Sequence, residues 1–167
     1  MTDKVDVSIF MGSKSDLPIV QAASDTLTEF NVPHRMFILS AHRTPDEIVK
    51  KIKESEEDGV KVFIAAAGMA AHLAGAIAAQ TSKPVLGIPI AGGDLGGMDA
   101  LLATVQMPKG VPVATFAIGK SGAINAALCA VQILGTSNAE IAEKLTEYKS
   151  KMHDDVLEAN ESIQQPS

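Results

Sequence analysis

Short apolar runs with the character of buried strands alternate along this chain with segments of helical spacing. The strand-like runs are residues 5–11, 36–39, 60–66, 85–89 and 111–117. The helix-like segments are a stretch that begins near residue 16 and ends at Phe30, and residues 45–58, 70–81, 121–134 and 139–160. Alternation at this density predicts a doubly wound α/β fold, with a parallel five-stranded sheet and right-handed crossovers.

Capping residues fix several of the predicted helix ends. Ser15 or Asp16 can cap the first helix, and Gly59 follows the second as its C-terminal stop. Residues 44–47 form a capping box with Pro45 at the first helical position, so that a helix begins directly after Arg43. Residues 137–140 supply a second capping box for the last helix.

Length and composition limit the class of protein. A chain of 167 residues with 46% apolar residues, mostly small aliphatic ones, can bury one core, so we expect a single domain over residues 1–167 with a loose tail at 163–167. The net charge of −6 argues against a nucleic-acid or anionic membrane surface. Cys129 is the single cysteine, which leaves no disulfide framework or cysteine metal site and favours a packed core thiol.

Two further observations predict a cytoplasmic protein without a membrane partner. Asp3, Lys4 and Asp6 interrupt any signal-peptide pattern at the N-terminus. No stretch reaches the ~20 apolar residues that a membrane span requires.

Polar segments follow four of the predicted strands, at residues 12–16, 40–43, 67–72 and 92–97. In open α/β sheets, ligands bind beyond the carboxyl ends of the strands, where these segments must lie. The hydroxyls of Ser13, Ser15 and Ser40 with the guanidinium of Arg43 suit a phosphate ester, and Asp16 suits sugar hydroxyls. The alternative is that these are ordinary turn and cap residues; their convergence on one edge favours a site.

The histidines fall into two groups. His42 and His72 each follow a strand, so a general acid/base role and a capping role are both open for them. His34 and His153 lie at a strand start and on a charged helix, and we interpret them as structural or solvated. No third ligand stands at a convincing spacing, so no metal is predicted.

Known motifs of other enzyme classes are absent. The chain has no phosphate-binding G-x-x-x-x-G-K-[ST] loop and no G-x-G-x-x-G after its first strand. Residues 119–122 only approach a nucleophile elbow, so a serine hydrolase has weak support.

Several of these segments together resemble a known family. Met11-Gly12-Ser13-Lys14-Ser15-Asp16, Ser40-Ala41-His42-Arg43-Thr44-Pro45, Ala71-His72-Leu73 and Val105-Gln106-Met107-Pro108, with Gly110-Val111-Pro112-Val113, are similar to the catalytic subunit of phosphoribosylaminoimidazole carboxylase. The similarity is greater to its class I form, the N5-carboxyaminoimidazole ribonucleotide mutases of purine biosynthesis. It spans nearly the whole chain, in order and at matching spacing.

The resemblance implies a flavodoxin-like three-layer αβα sandwich with an extra C-terminal helix, assembled as a homo-octamer. It implies an isomerase without cofactor or metal that moves a carboxyl group from the exocyclic amine of a nucleotide to ring carbon C4. His42 matches the catalytic histidine of the family. The residues that match substrate-binding or lining positions are Gly12, Ser13, Ser15, Asp16, Ser40, Ala41, Arg43, Gly68, His72 and Leu73.

Two segments differ from the family's pattern or stand out within it. Met69 occupies a position where many members have Gly, and residues 92–97 are Gly-rich enough to form a mobile lid over the site.

Two alternative functions stay open: a class II carboxylase that uses free CO2, and a nucleotide-binding regulator without catalysis.

The last predicted helix carries an apolar stripe on an otherwise charged surface. Its members are Ile141, Leu145, Tyr148, Met152 and Val156. A helix that follows the completed sheet can pack on its own domain or on a neighbouring subunit, and we expect a homo-oligomer.

Overall fold

A computed structural model describes residues 4–164. Its strands are β1 (Val7–Met11), β2 (His34–Ile38), β3 (Val62–Gly68), β4 (Val85–Ile90) and β5 (Ala114–Thr115). Its helices are α1 (Leu17–Glu29), α2 (Pro45–Glu57), α3 (Leu73–Ala78), α4 (Met98–Val105), α5 (Lys120–Gly135) and α6 (Ala139–Ser162). All strand pairs are parallel, in the order β2-β1-β3-β4-β5. This order is flavodoxin-like, and it confirms the predicted doubly wound α/β fold with an additional C-terminal helix.

The central strands are buried on both faces. Phe10 of β1 and Phe63 of β3 pack on one face with Ile48 and Ile52 of α2. Residues that alternate with them, such as Ile9, are fully buried toward the other face. Right-handed crossovers require α1, which leads outward to β2, to lie on the face opposite α2 and α3. The sheet is therefore covered by helices on both sides, as its apolar strands demand.

The strand order reverses between β1 and β3, which are hydrogen-bonded neighbours. Chain connections leave these two strands in opposite directions, to β2 on one side and to β4 on the other. Such a reversal opens a crevice at the carboxyl ends of the strands, which is where open α/β sheets bind ligands.

The described residues fall into two compact units, one up to Ala130 and one from Val131 onward, with the boundary inside α5. The first holds the sheet. In the second, a Cβ on Gly135 would lie 3.4 Å from Cδ1 of Leu145, so the end of α5 and the start of α6 approach closely. A single domain over residues 1–167 stays a prediction, and residues 165–167 of the predicted tail lie outside the described residues.

Several element boundaries differ from the prediction. β1 and β3 begin two residues later than expected, α3 spans only Leu73–Ala78, and only Ala114–Thr115 of the fifth predicted strand pair with β4. Helix α4 was not predicted at all. It packs close to β4 because that strand has a glycine: a Cβ on Gly87 would lie 2.5 Å from Cγ2 of Thr104.

The predicted caps were partly wrong. Ser13, rather than Ser15 or Asp16, caps the turn before α1 with its side chain. Thr44 stands at the N-cap of α2 without a side-chain capping bond, and Asn138 replaces Ser137 as the cap of α6, where its Oδ1 accepts from the backbone N–H of Ile141. Gly59 is confirmed as the stop of α2, with φ +93°.

The thiol of Cys129 is less enclosed than expected for a packed core residue. Cys129 is half-buried in α5, and burial raises the pKa of its thiol. Among residues 4–164, no helix is long and apolar enough to cross a membrane.

Candidate active site

The loop after β1 is organised by Ser13 and Asp16. Ser13 Oγ accepts from the backbone N–H of Ser15 at 3.3 Å and from the Ser15 hydroxyl at 3.0 Å. In return, the backbone N–H of Ser13 donates to Oδ2 of Asp16 at 3.0 Å. These bonds close a 3₁₀ turn, Lys14–Asp16, directly before α1. The serine hydroxyls and the carboxylate are thereby fixed at the end of β1.

Asp16 is a buried carboxyl, with 8% of its surface exposed. Burial raises its pKa above the ordinary value, because the ionised form loses solvation. The hydrogen bonds from Ser13 and Ser15 and the positive charge of Arg43 act in the opposite direction, and burial outweighs them. The Asp16 side chain is thus held by donors from Ser13 and Ser15 at the wall of the cavity.

The loop after β2 places Arg43 against the loop after β1. Thr44 Oγ1 accepts from the backbone N–H of Ser40 at 2.8 Å and donates to the Ser40 carbonyl at 3.1 Å, which explains why this hydroxyl does not cap α2. The turn leaves Arg43 pointing across, where Nη2 donates to the carbonyl oxygen of Gly12 at 2.8 Å. A guanidinium has five N–H donors, so others remain for a ligand.

The loops after β2 and β3 meet through two imidazoles. Nε2 of His42 lies 2.6 Å from Nδ1 of His72, and the ring centroids are 4.7 Å apart at a steep angle. At this distance one ring must donate an N–H and the other must accept it. The two histidines that were predicted to share an edge of the sheet are therefore in direct contact, and both are exposed on the cavity side.

All predicted site residues surround one cavity of about 730 Å³ at the carboxyl ends of β1 to β4. Its predicted lining residues are Gly12, Ser13, Ser15, Asp16, Ser40, Ala41, His42, Arg43, Gly68, His72 and Leu73. The structure thus brings these side chains together; the individual roles assigned to them stay predictions. A volume of this size accommodates a small-molecule ligand such as a nucleotide.

Part of the cavity wall was not predicted from the sequence. Ile19, Ile90 and Ala91 line it as well, beside Ala67 and Met69 of the segment that was expected at this edge. Ile19 is three residues after Asp16 on α1, so helical spacing could have found it. Ile90 and Ala91 lie at the end of β4, and their place in the cavity wall follows because β4 ends beside β3. Their contribution makes one side of the cavity apolar.

The other histidines are outside this site. Nε2 of His34 lies 2.7 Å from Oγ of Ser24 and its Nδ1 lies 2.8 Å from the carbonyl oxygen of Val32, which confirms a structural role. His153 is exposed on α6, with Nδ1 3.1 Å from a carboxylate oxygen of Asp154. Within residues 4–164, no cluster of three or more His, Cys, Asp or Glu side chains is arranged to hold a metal ion.

Comparison with known proteins supports one family. The AIR carboxylase family model matches residues 6–155. A relative from Escherichia coli (strain K12), an N5-carboxyaminoimidazole ribonucleotide mutase, is 50% identical over 152 residues, which cover 91% of this chain and 90% of the relative. A mutase of the same name from Bacillus subtilis (strain 168) is 48% identical over 157 residues, which cover 94% and 97%.

A solved structure shares the whole fold. The crystal structure of Treponema denticola PurE aligns with a TM-score of 0.87 at 27% sequence identity, covering 95% of this chain and 98% of that one. The sequence matches and the structural match therefore span the sheet and every loop of the cavity. This chain belongs to the AIR carboxylase family.

Proposed function

We propose that this protein is an isomerase of purine biosynthesis that converts N5-carboxyaminoimidazole ribonucleotide to 4-carboxy-5-aminoimidazole ribonucleotide. Relatives about half identical to it over nearly their whole length carry the name of this mutase. The observation that carries the proposal is the convergence of Arg43, Ser13 and the His42–His72 pair on one cavity at the strand reversal.

The ribose phosphate binds between the loops after β1 and β2. Arg43 offers its remaining N–H donors, and the hydroxyls of Ser13 and Ser15 stand beside it. Asp16 would repel the phosphate, so it accepts hydrogen bonds from the sugar hydroxyls instead. Because Arg43 is tied to Gly12, the two loops bind the nucleotide as one preorganised surface.

The apolar wall favours the intermediate. A carbamate on the exocyclic nitrogen loses neutral CO2 when that nitrogen takes up a proton. Ala67, Ile90 and Ala91 line the cavity with apolar surface, which destabilises a carboxylate relative to CO2. CO2 held beside ring carbon C4 is attacked without diffusing away, which is a proximity effect. The new C4–carboxylate bond is complete when C4 loses its proton.

The isomerisation adds one proton to the departing nitrogen and removes one from C4, so it has no net proton change. The His42–His72 pair can supply the first proton and recover the second. His42 delivers one proton to the departing nitrogen and later receives one from C4. Two neutral imidazoles joined by one N–H···N bond can accept a single further proton and keep that bond. A second added proton would place an N–H on both facing nitrogens, so the hydrogen bond between the rings would be lost. The pair therefore alternates between neutral and singly protonated, which is the capacity that the reaction needs.

The proposed assembly follows from the family resemblance and from the exposed apolar residues of α6. We propose that the enzyme acts in the cytoplasm as a homo-oligomer, an octamer by that resemblance. Met152, Val156 and Leu157 are exposed by 52%, 68% and 48% in the single chain and offer an apolar surface for a second copy.

An assay with two substrates tests the proposed reaction. The purified protein is given either N5-carboxyaminoimidazole ribonucleotide, or aminoimidazole ribonucleotide with and without bicarbonate, and product is followed by ultraviolet absorbance. We expect turnover of the first substrate without added bicarbonate. Turnover only of the second, and only with bicarbonate, would establish the class II carboxylase, and turnover of neither would favour a binding protein.

Two variants separate binding from chemistry. We expect His42→Asn to lower kcat by ~10²-fold or more with modest change in nucleotide affinity, because it removes the proton carrier. Arg43→Ala should mainly weaken nucleotide affinity, because it removes a phosphate donor. Equal activity of His42→Asn and the unmodified protein would contradict the proposed role of this imidazole.

A further inference from the structure

Met69 has an unusual backbone conformation for its residue type. Its φ is +55°, in the left-handed region, where the Cβ of an ordinary residue crowds the following carbonyl. Among the described residues, Asn31 at φ +56° is the other non-glycine residue with a positive φ, and Asn tolerates that region better. A conformation that favours glycine is therefore occupied by a long thioether side chain, and strained residues of this kind cluster at active sites.

The side chain of Met69 lies at the rim of the cavity. It is 59% exposed and belongs to the cavity lining. A Cβ on Gly93 would lie 3.6 Å from its Cγ and 3.8 Å from its Cε, so Met69 extends over the loop that follows β4. Gly93 itself has a φ of +63°, and a Cβ there would make ordinary van der Waals contact with the Met69 side chain. Met69 thus bridges the loops after β3 and β4 beside Ile90 and Ala91.

We propose that Met69 is an apolar cover of this cavity that retains CO2 between cleavage of the carbamate and bond formation at C4. The proposal rests on the proposed function. A methionine side chain is flexible and apolar, so it can fold over a small neutral molecule and still admit and release a nucleotide. It takes part in no bond change: the N–CO2 bond breaks, the C4–CO2 bond forms, and the proton passes through His42.

Isotope exchange measures this retention directly. N5-carboxyaminoimidazole ribonucleotide labelled with ¹³C in its carbamate is converted in unlabelled bicarbonate buffer, and the label in the product carboxylate is measured by NMR. An enzyme-free sample corrects for the spontaneous loss of the carbamate. CO2 that escapes exchanges with the unlabelled pool, so the lost label reports the ratio of escape to recapture.

Three variants separate the side chain from the backbone. Met69→Ala keeps the strained backbone and removes the thioether; we expect the ratio of escape to recapture to rise about fourfold, the factor that corresponds to one lost methylene-sized apolar contact. Met69→Leu restores apolar bulk and should retain label as the unmodified protein does. Met69→Gly should raise the melting temperature by relieving backbone strain, yet it should show the same increased ratio of CO2 escape to recapture as Met69→Ala.

Met98→Ala is the matched control, since Met98 is 53% exposed and does not line the cavity. It should retain label fully. Equal label retention in Met69→Ala and the unmodified protein would overturn the assignment of Met69 while the mutase reaction stood. Failure of the unmodified protein to convert the substrate at all would instead overturn the proposed function.

Discussion

The contact between His42 and His72 couples the proposed proton carrier to a second ring. Because Nε2 of His42 is 2.6 Å from Nδ1 of His72, the orientation of the His42 ring depends on its neighbour. His72 stands at the N-cap of α3 without capping through its side chain, so that side chain is free to serve this contact. We interpret His72 as a positioning residue that also limits the pair to one extra proton.

Substitution of His72 tests this interpretation. Asn places a polar atom near the former Nδ1 and can still hold His42, whereas Phe keeps the ring shape without a hydrogen bond. We expect His72→Phe to lower kcat by about tenfold to a hundredfold, because His42 is no longer held in place. His72→Asn should have a kcat between those of His72→Phe and the unmodified protein. His153→Asn is the control, and equal kcat values for Phe and Asn would contradict a positioning role.

Asp16 links the stability of the fold to pH. Burial raises its pKa in the folded chain above the ordinary value of 3.8, so folding favours the protonated form. The favourable contribution is complete below 3.8 and is lost as pH rises through the raised folded-state pKa. Asp16→Asn has no such dependence. Relative to the unmodified protein, we expect the urea midpoint of this variant to increase as pH rises above 3.8, and the difference to become constant above the raised folded-state pKa.

Nucleotide affinity should change in the opposite direction. A neutral amide oxygen is a weaker acceptor for sugar hydroxyls than a carboxylate, so the Asp16→Asn variant should have a raised KM while it gains stability. A stability difference between the two proteins that is independent of pH would show that the raised pKa has no effect on folding.

Local capping was the least predictable part of the site from sequence alone. Ser13, Ser15 and Asp16 all precede α1, and each residue type is a good cap. Ser13 takes the role because its φ of −152° lets its side chain receive the Ser15 N–H, which no pattern of residue types specifies. Thr44 similarly uses its hydroxyl on Ser40 instead of on α2. The sequence pattern identified which residues could cap a helix, but competition among nearby donors and acceptors determined which hydrogen bonds they form.

At the scale of elements, helix α4 shows what periodicity misses. Its sequence, Met98–Val105, is apolar on several sides and follows a glycine-rich loop without a side-chain cap. Apolar residues on several sides give no clear helical stripe, so the pattern resembled a continuation of the loop. β5 was overestimated for the opposite reason: residues 111–117 look apolar throughout, but Pro112 lacks the N–H for a ladder bond and pairing is limited to Ala114–Thr115.

Gly122, in the first turn of α5, has no room for a side chain because the backbone of Ala117 lies directly against it. A Cβ at this position would overlap the carbonyl oxygen of Ala117, which cannot rotate away as a side chain could. Helix propensity favours Ala over Gly by about 1 kcal/mol. Overpacking against backbone outweighs that gain, so we expect Gly122→Ala to destabilise the protein by about 3 kcal/mol in urea unfolding.

Gly92→Ala is the matched control for that measurement. Its φ is not in the left-handed region, and a Cβ there would meet nothing within 4 Å. The control should change the free energy of unfolding by less than about 0.5 kcal/mol. A Gly122→Ala protein as stable as this control would mean that α5 can shift away from Ala117.

At the scale of the whole molecule, the convergence of the candidate site residues on one cavity was the most predictable feature. Alternating elements specify a parallel sheet, and a parallel sheet gathers the residues that follow its strands at one edge. Segments as distant in sequence as Gly12 and Gly92 therefore line one cavity. The contact of His42 with His72 required side-chain geometry as well, since it depends on where two loops end and not only on which edge they share.

The far half of α6 provides a test of assembly. Every residue from Lys149 to Ser162 is exposed in the single chain, and Val156 is exposed by 68%. An apolar side chain there contributes little to the stability of a monomer, whereas a lysine in an apolar interface would lose solvation without a partner. We expect Val156→Lys to lower the mass of the assembly measured by light scattering, with unchanged secondary structure. Glu158→Lys introduces a lysine on another side of the helix and should leave the mass unchanged. A Val156→Lys protein with the mass of the unmodified one would place the interface elsewhere.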